Sequence, residues 1–200
     1  MESSSAPYGA EIEAEPLEWQ PRIMWASARL LSGAVSFFFA AFLFAYFYLR
    51  LLDTNHGWKL GHVVRPTGFG IAIVLTLIAS AVLLRMASRT PVRTVALGGA
   101  ALGLALLSVI LQVWQWTTIG FGAASGGYAS VYVGWTSCYA VLTIPFLYWI
   151  ETQVAVVWRE RRETTPHSTE LIHAGLESCS FLWGFYVATG VVAFVVLYLV

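Results

Sequence analysis

From Thr94 to Ile150 the chain reads TVALGGAALGLALLSVILQVWQWTTIGFGAASGGYASVYVGWTSCYAVLTIPFLYWI, 57 residues without one Asp, Glu, Lys or Arg. A helix that crosses a hydrocarbon core of roughly 30 Å needs about 20 apolar residues, so this window is too long for one crossing. Its middle, TTIGFGAASGG at 117–127, is a Gly/Ser/Thr run that reads as a turn. The window therefore holds two spans. Working outward, charges are also missing from 30–49, 66–84 and 178–200, each about the length of one crossing. The pattern predicts five transmembrane helices, at about 26–50, 67–87, 93–116, 128–157 and 175–199.

The whole composition agrees. The 200 residues carry 11 basic and 11 acidic groups, and 58% are hydrophobic. Mean hydropathy is +0.70. Only 11% are charged, against about 25% in a soluble domain, and the apolar segments lack the polar face that a soluble bundle needs. In lipid, helices satisfy their own backbone groups. The expected fold is an all-α integral membrane protein, a bundle of five helices. Disorder, charge-driven nucleic-acid binding and a disulfide-stapled secreted domain are excluded. Cys138 and Cys179 sit in apolar runs and read as small hydrophobes. Two regions are expected: an acidic N-terminal tail at 1–24 and a transmembrane domain at 25–200. Residues 1–20 are polar and acidic without a basic segment, so they are not expected to be a signal peptide, but a mobile tail or a strap for a partner.

Lys and Arg in short loops orient a membrane protein, because the cytoplasmic side holds more of them. With five spans, Arg22, Arg29, Arg85, Arg89, Arg93, Arg159, Arg161 and Arg162 share one side, and Arg50, Lys59 and Arg65 the other. This predicts a cytoplasmic N-terminus and an outside C-terminus.

Groups for chemistry are few. His56, His62, His167 and His173 all lie outside the apolar windows, and none is paired at helical spacing within the membrane, as heme or copper ligation there would require. No metal site and no catalytic residue are expected. Intramembrane acids are functional candidates by default, and only Glu151 and Glu177 qualify, both near span ends. Glu177 follows His173 by one helical turn, so the two share a face. A proton route would find only Gln112, Gln115, hydroxyls and phenols in the core, which argues against a pump or redox enzyme acting alone. Trp25, Trp58, Trp116, Tyr128, Trp149 and Trp158 stand near span ends, as an interfacial belt predicts. Trp114 and Trp183 stand deeper and are expected to pack. The run Gly98–Gly103 reads as close helix packing.

Several strings, taken in order, resemble subunit III of the heme–copper respiratory oxidases, in its short five-helix bacterial form. FFAAFLFAYFYLR at 38–50 is similar to the family's FFAxxFxxAYFYLR-type helix. Gln112, Trp114, Gln115 and Trp116 fall on its Q-x-W-E-W. Tyr128, Ser130 and the later Thr136 resemble Y-G-S-x-F and its following Thr. His173, Gly175 and Glu177 match H-x-G-x-E, and Trp183 with Phe185 the flanks of W-H-F. The set covers about 25–200. Where the family carries Glu, His and Asp inside the membrane, this chain has Val35, Gln115, Tyr139, Leu142, Gly184 and Val187.

The resemblance implies a non-catalytic, lipid-binding integral subunit that packs against catalytic subunit I of a cytochrome c or quinol oxidase in the bacterial cytoplasmic membrane. Heme and copper are expected in the partner subunits and none in this chain; bound phospholipid is expected. The missing acids and histidines imply a supporting role without proton chemistry of its own. The candidate lipid site is His173 with Glu177, Arg161 and Arg162, and Arg50 at the opposite side; Arg binds phosphate bidentately, and basic cytoplasmic pockets favour anionic headgroups. An accessory subunit of a nitric oxide reductase or another respiratory complex is the alternative. A small transporter or channel is disfavoured, because no inverted repeat, broken helix or charged lining is present.

Overall fold

The computed structural model describes residues 19–54, 57–59, 61, 63–161 and 169–200. Five helices follow one another: α1 (Gln20–Leu51), α2 (Thr67–Arg89), α3 (Thr94–Thr118), α4 (Gly127–Glu160) and α5 (Thr169–Phe194). Each of the five is long and apolar enough to cross a membrane. The long charge-free window divides at its Gly/Ser/Thr segment, as its composition predicts, between α3 and α4.

Local chemistry sets the ends. Pro21 lies in the first turn of α1, where its missing N–H costs nothing. Pro91 opens a short 3-10 turn, Pro91–Arg93, that reverses the chain between α2 and α3. Gly126 precedes α4 with φ 110°, a conformation open to glycine and strained for other residues. The Tyr128 N–H there donates to the Trp58 carbonyl at 2.8 Å, fastening the loop after α1 to the start of α4. The last five residues of the final span, Val195–Leu199, wind as a π-helical turn.

The helices run past the predicted spans. The first was expected at 26–50 and begins at Gln20, so it crosses the boundary set between tail and membrane domain at residues 24 and 25. The last was expected at 175–199 and begins at Thr169. Absence of charge marks the part of a helix inside lipid, whereas main-chain hydrogen bonding continues through amphipathic turns such as those holding Arg22 and His173. At 34 residues, α4 is about 51 Å long at 1.5 Å per residue. Pro145 inside it removes one main-chain hydrogen bond.

Successive helices are antiparallel. We call the end where α1 begins the near end and the other the far end. α5 packs against α1, α2 and α4, and α3 against α2 and α4. Half of the apolar window of α5 is buried, against 22–28% in the other spans, so α5 is the pillar of the bundle. Its Trp183 Nε1 donates to Ser80 Oγ at 3.1 Å, and Ser80 Oγ donates to the Ala101 carbonyl at 2.7 Å, linking α5, α2 and α3. Large apolar side chains cover the outer surface, Phe37 at 83% exposure and Leu51 at 84% among them. In water such a surface would be an anomaly; against acyl chains it is the stable arrangement. Of the glycine run, Gly98 serves close packing, since a Cβ there would stand 2.6 Å from Val154, while Gly99 and Gly103 have nothing within 4 Å.

Two aromatic expectations are corrected. Trp114 is 58% exposed and lies against Phe69 on the outer face rather than in the core. Tyr128 is fully buried rather than part of a belt. Position along the chain fixes depth in the membrane but not which side of the helix meets a neighbour.

Candidate functional site

At the near end, α1 and α5 form an open groove of about 630 Å³, lined by Pro21, Arg22, Trp25, Arg29, Glu170, His173, Ala174 and Glu177. His173 and Glu177 face each other as their spacing predicts, Nδ1 to Oε2 at 3.7 Å, an ion pair when the imidazole is protonated. Trp25 rests on Phe181 of α5 with ring centroids 5.7 Å apart. The Arg29 guanidinium lies 5.6 Å over the Trp25 ring, which orients its fork without consuming its donors. Gly175 lets α4 and α5 approach closely, because a Cβ would collide with the Gln153 side chain. The groove thus offers two guanidinium groups, one imidazole, two carboxylates and an apolar wall. Such a set binds an anion or a headgroup with both signs of charge; it holds no activated nucleophile.

The five lipid-site residues expected from the sequence do not gather here. Arg161 bonds the carbonyls of Pro91 and Val92, the latter at 3.0 Å, and fastens the end of α4 to the α2–α3 turn. Arg50 lies at the far end and donates to the Val200 carbonyl at 3.1 Å. Arg162 lies outside the described residues, as do His56, His62 and His167. In their place the structure brings Arg22 and Arg29 to His173. The signal for these was present: Arg22, Trp25 and Arg29 recur at helical spacing on one face, although each arginine also serves topology.

At the far end a second set of polar groups converges. Gln112 Nε2 donates to Gln115 Oε1 at 2.8 Å, and Gln115 Nε2 donates to the Tyr198 hydroxyl at 2.9 Å. The Tyr132 and Tyr198 hydroxyls are 2.8 Å apart. Trp116 Nε1 donates to Thr136 Oγ1 at 3.1 Å. Tyr128 donates to the Leu197 carbonyl at 2.7 Å. Arg65 donates to the Tyr198 carbonyl at 3.1 Å and lies 5.5 Å over the Tyr128 ring. Gln115 and Tyr132 are fully buried. Five of the motif positions singled out in the sequence, Gln112, Gln115, Trp116, Tyr128 and Thr136, therefore meet in one cluster that ties α3 to α4 and α5. Tyr198, Tyr132 and Arg65 complete it, and sequence spacing gave no sign of these pairings. Each interhelical bond of this kind is worth about 0.6 kcal/mol on average and up to about 1.7 in a membrane.

The positions where the resembled family carries acids and histidines are apolar or neutral seats in the structure. Val35 and Val187 are buried in the core. The Tyr139 hydroxyl donates to the Tyr186 carbonyl at 3.0 Å. Among the described residues no three His, Cys, Asp or Glu side chains gather as a metal site would require. No protein-family model matches the chain, and no curated protein matches it.

Proposed function

We propose that this chain is a non-catalytic, subunit III-like integral subunit of an aerobic respiratory terminal oxidase. It sits in a bacterial cytoplasmic membrane with its N-terminus inside, packs against the heme–copper subunit and stabilises it. The observation that carries the reading is the far-end cluster. Gln112, Gln115 and Trp116 come from one resembled string and Tyr128 and Thr136 from another; Trp116 bonds Thr136 directly, and Gln115 and Tyr128 both bond the end of the last span, at Tyr198 and Leu197. Strings that resembled the family only in order acquire a shared structural purpose. The replacement of most of the resembled family's intramembrane acids and histidines by apolar or neutral groups supports a role in support of chemistry rather than in chemistry.

The near-end groove is the lipid site of this reading. A phospholipid phosphate takes Arg22 and Arg29, with His173 as a further donor, and its acyl chains lie along the apolar wall of α1 and α5. The overall excess of arginine at this end gives the anionic inner leaflet the same preference.

Purification tests the proposal. The tagged chain, solubilised gently from its native membrane, should co-migrate with a subunit whose absorption spectrum shows heme a or heme o. Isolation as a stable heme-free homo-oligomer would overturn it. A partner with the hemes of a nitric oxide reductase would move the chain to that complex and leave the supporting role intact.

A further inference from the structure

Two hydrogen-bonded groups face one another across the interior. One is the far-end cluster. The other lies deeper: the Tyr139 and Tyr186 rings stack with centroids 4.4 Å apart, each hydroxyl donates to the other's carbonyl, and the Tyr186 hydroxyl lies 3.2 Å from Thr143 Oγ1. Among the described residues no hydrogen bond joins the two groups. Both border one cavity of about 40 Å³ between α2, α3, α4 and α5. Gln112, Thr136 and Tyr198 of the first group line it, with Tyr139 of the second. A smaller hollow of about 10 Å³ shares Gln112 and Tyr139 and adds Ser108 and Thr143.

Trp135 lines the cavity of about 40 Å³ and also a hollow of about 180 Å³ beside α1, with Ser36, Phe39 and Thr189. Its ring is 1% exposed, and its indole N–H is buried without a partner. An unmet buried donor costs about 1–3 kcal/mol, and indole N–H groups normally find an acceptor. The cavity supplies the space for one. A water needs roughly 10–15 Å³ on this measure and two to four polar neighbours, so about three or four waters fit by volume. A purely aliphatic void of this size would stay dry, whereas here Trp135, Gln112, Thr136, Tyr139 and Tyr198 interrupt a mostly apolar wall. Glycines seat those hydroxyls. A Cβ on Gly190 would run into the Tyr139 hydroxyl, and one on Gly70 would stand 2.7 Å from the Tyr198 ring.

We infer that this cavity is a water site, and that its waters accept from Trp135 Nε1 and join the two tyrosine groups into one chain of hydrogen bonds. From Tyr132 to Thr143 that chain spans 11 residues of α4, about 16 Å. The far half of the bundle is then wet along one internal line. In the near half the Trp183 indole N–H is satisfied by Ser80 instead. The inference rests on the bundle alone and holds whatever complex the chain serves.

Solid-state NMR of the whole chain in lipid bilayers tests it, by transfer of magnetisation from water to ¹⁵N-labelled indole groups, with Trp135→Phe assigning the signal. The Trp135 indole should gain water-derived intensity like that of Trp58, half-buried in the far-end loop, while Trp183 gains none. Ala193→Leu and Ile73→Phe, which fill the cavity from different helices, should abolish the Trp135 transfer and spare that of Trp58. A wild-type Trp135 signal as low as that of Trp183 overturns the site, and so does transfer that persists in a folded filled variant. Should both variants fail to fold, the wild-type comparison of the three tryptophans decides.

Discussion

Gln115 shows how single residues act in this protein. Its amide is fully buried, receives a bond from Gln112 and donates to Tyr198, 83 positions away in the chain. Removing one partner leaves the other to its remaining bonds, such as the long one from Gln115 Nε2 to the Pro66 carbonyl at 3.4 Å. Tyr198→Phe and Gln115→Leu should each lower stability by about 1–3 kcal/mol. The double variant should lose less than the sum, with a coupling of about 0.6 to 1.7 kcal/mol, read from reversible unfolding in mixed micelles. Strict additivity would show that the two side chains act independently. The arginines divide in the same residue-specific way. Arg22→Ala with Arg29→Ala should reduce the phospholipid that co-purifies, measured by phosphate analysis. Arg161→Ala should leave the phospholipid unchanged, because Arg161 is occupied by main-chain carbonyls at the α2–α3 turn. Equal lipid content in all three would remove the groove as the lipid site.

At the scale of the helix, small residues decide how closely neighbours approach, and their effect depends on the face. Gly98 meets Val154 of α4, while the adjacent Gly99 meets nothing. Gly98→Leu should therefore cost about 1–3 kcal/mol by overpacking, and Gly99→Leu should change stability by less than about 0.5 kcal/mol; melting curves of the two variants compare them directly. This contrast also marks how far the sequence can be read. The five helices were legible because a bilayer forbids charge along the full length of a crossing, which leaves long gaps such as Thr94–Ile150. The interhelical turn was legible because Gly and Ser interrupt the apolar run. Helix ends were not, because α1 and α5 continue as amphipathic turns beyond the apolar band. The faces were not legible either. With apolar residues on every side there is little periodic signal, so Trp114 could not be assigned to the outside nor Tyr128 to the core. The near-end groove was half visible: His173 and Glu177 share a turn and meet as expected, but which arginines join them depends on how α1 packs on α5.

For the whole molecule, the distribution of polarity separates two ends of different character. The near end gathers arginines and an open groove, and the far end a closed cluster of amides, phenols and indoles. The proposed orientation is read by labelling. In a Cys138→Ala background, Val92→Cys at the α2–α3 turn should resist a membrane-impermeant maleimide added to intact cells, and Ala124→Cys at the α3–α4 turn should react; the reverse pattern would invert the protein in the membrane. The charge deficit that first marks the chain as a membrane protein also leaves it without a carboxylate or imidazole at Val35, Gln115, Tyr139, Leu142, Gly184 and Val187, where the resembled family carries them. In the proposed function the chain serves its partner by packing, lipid retention and rigidity. The most direct measurement of that claim is the lifetime of the purified complex during turnover, with and without this chain. The account predicts that the stripped complex keeps its heme spectrum and initial rate and then inactivates after fewer turnovers, with re-addition of the chain restoring its lifetime. A stripped complex that loses its initial rate at once, or one that lasts as long as the intact complex, would contradict it.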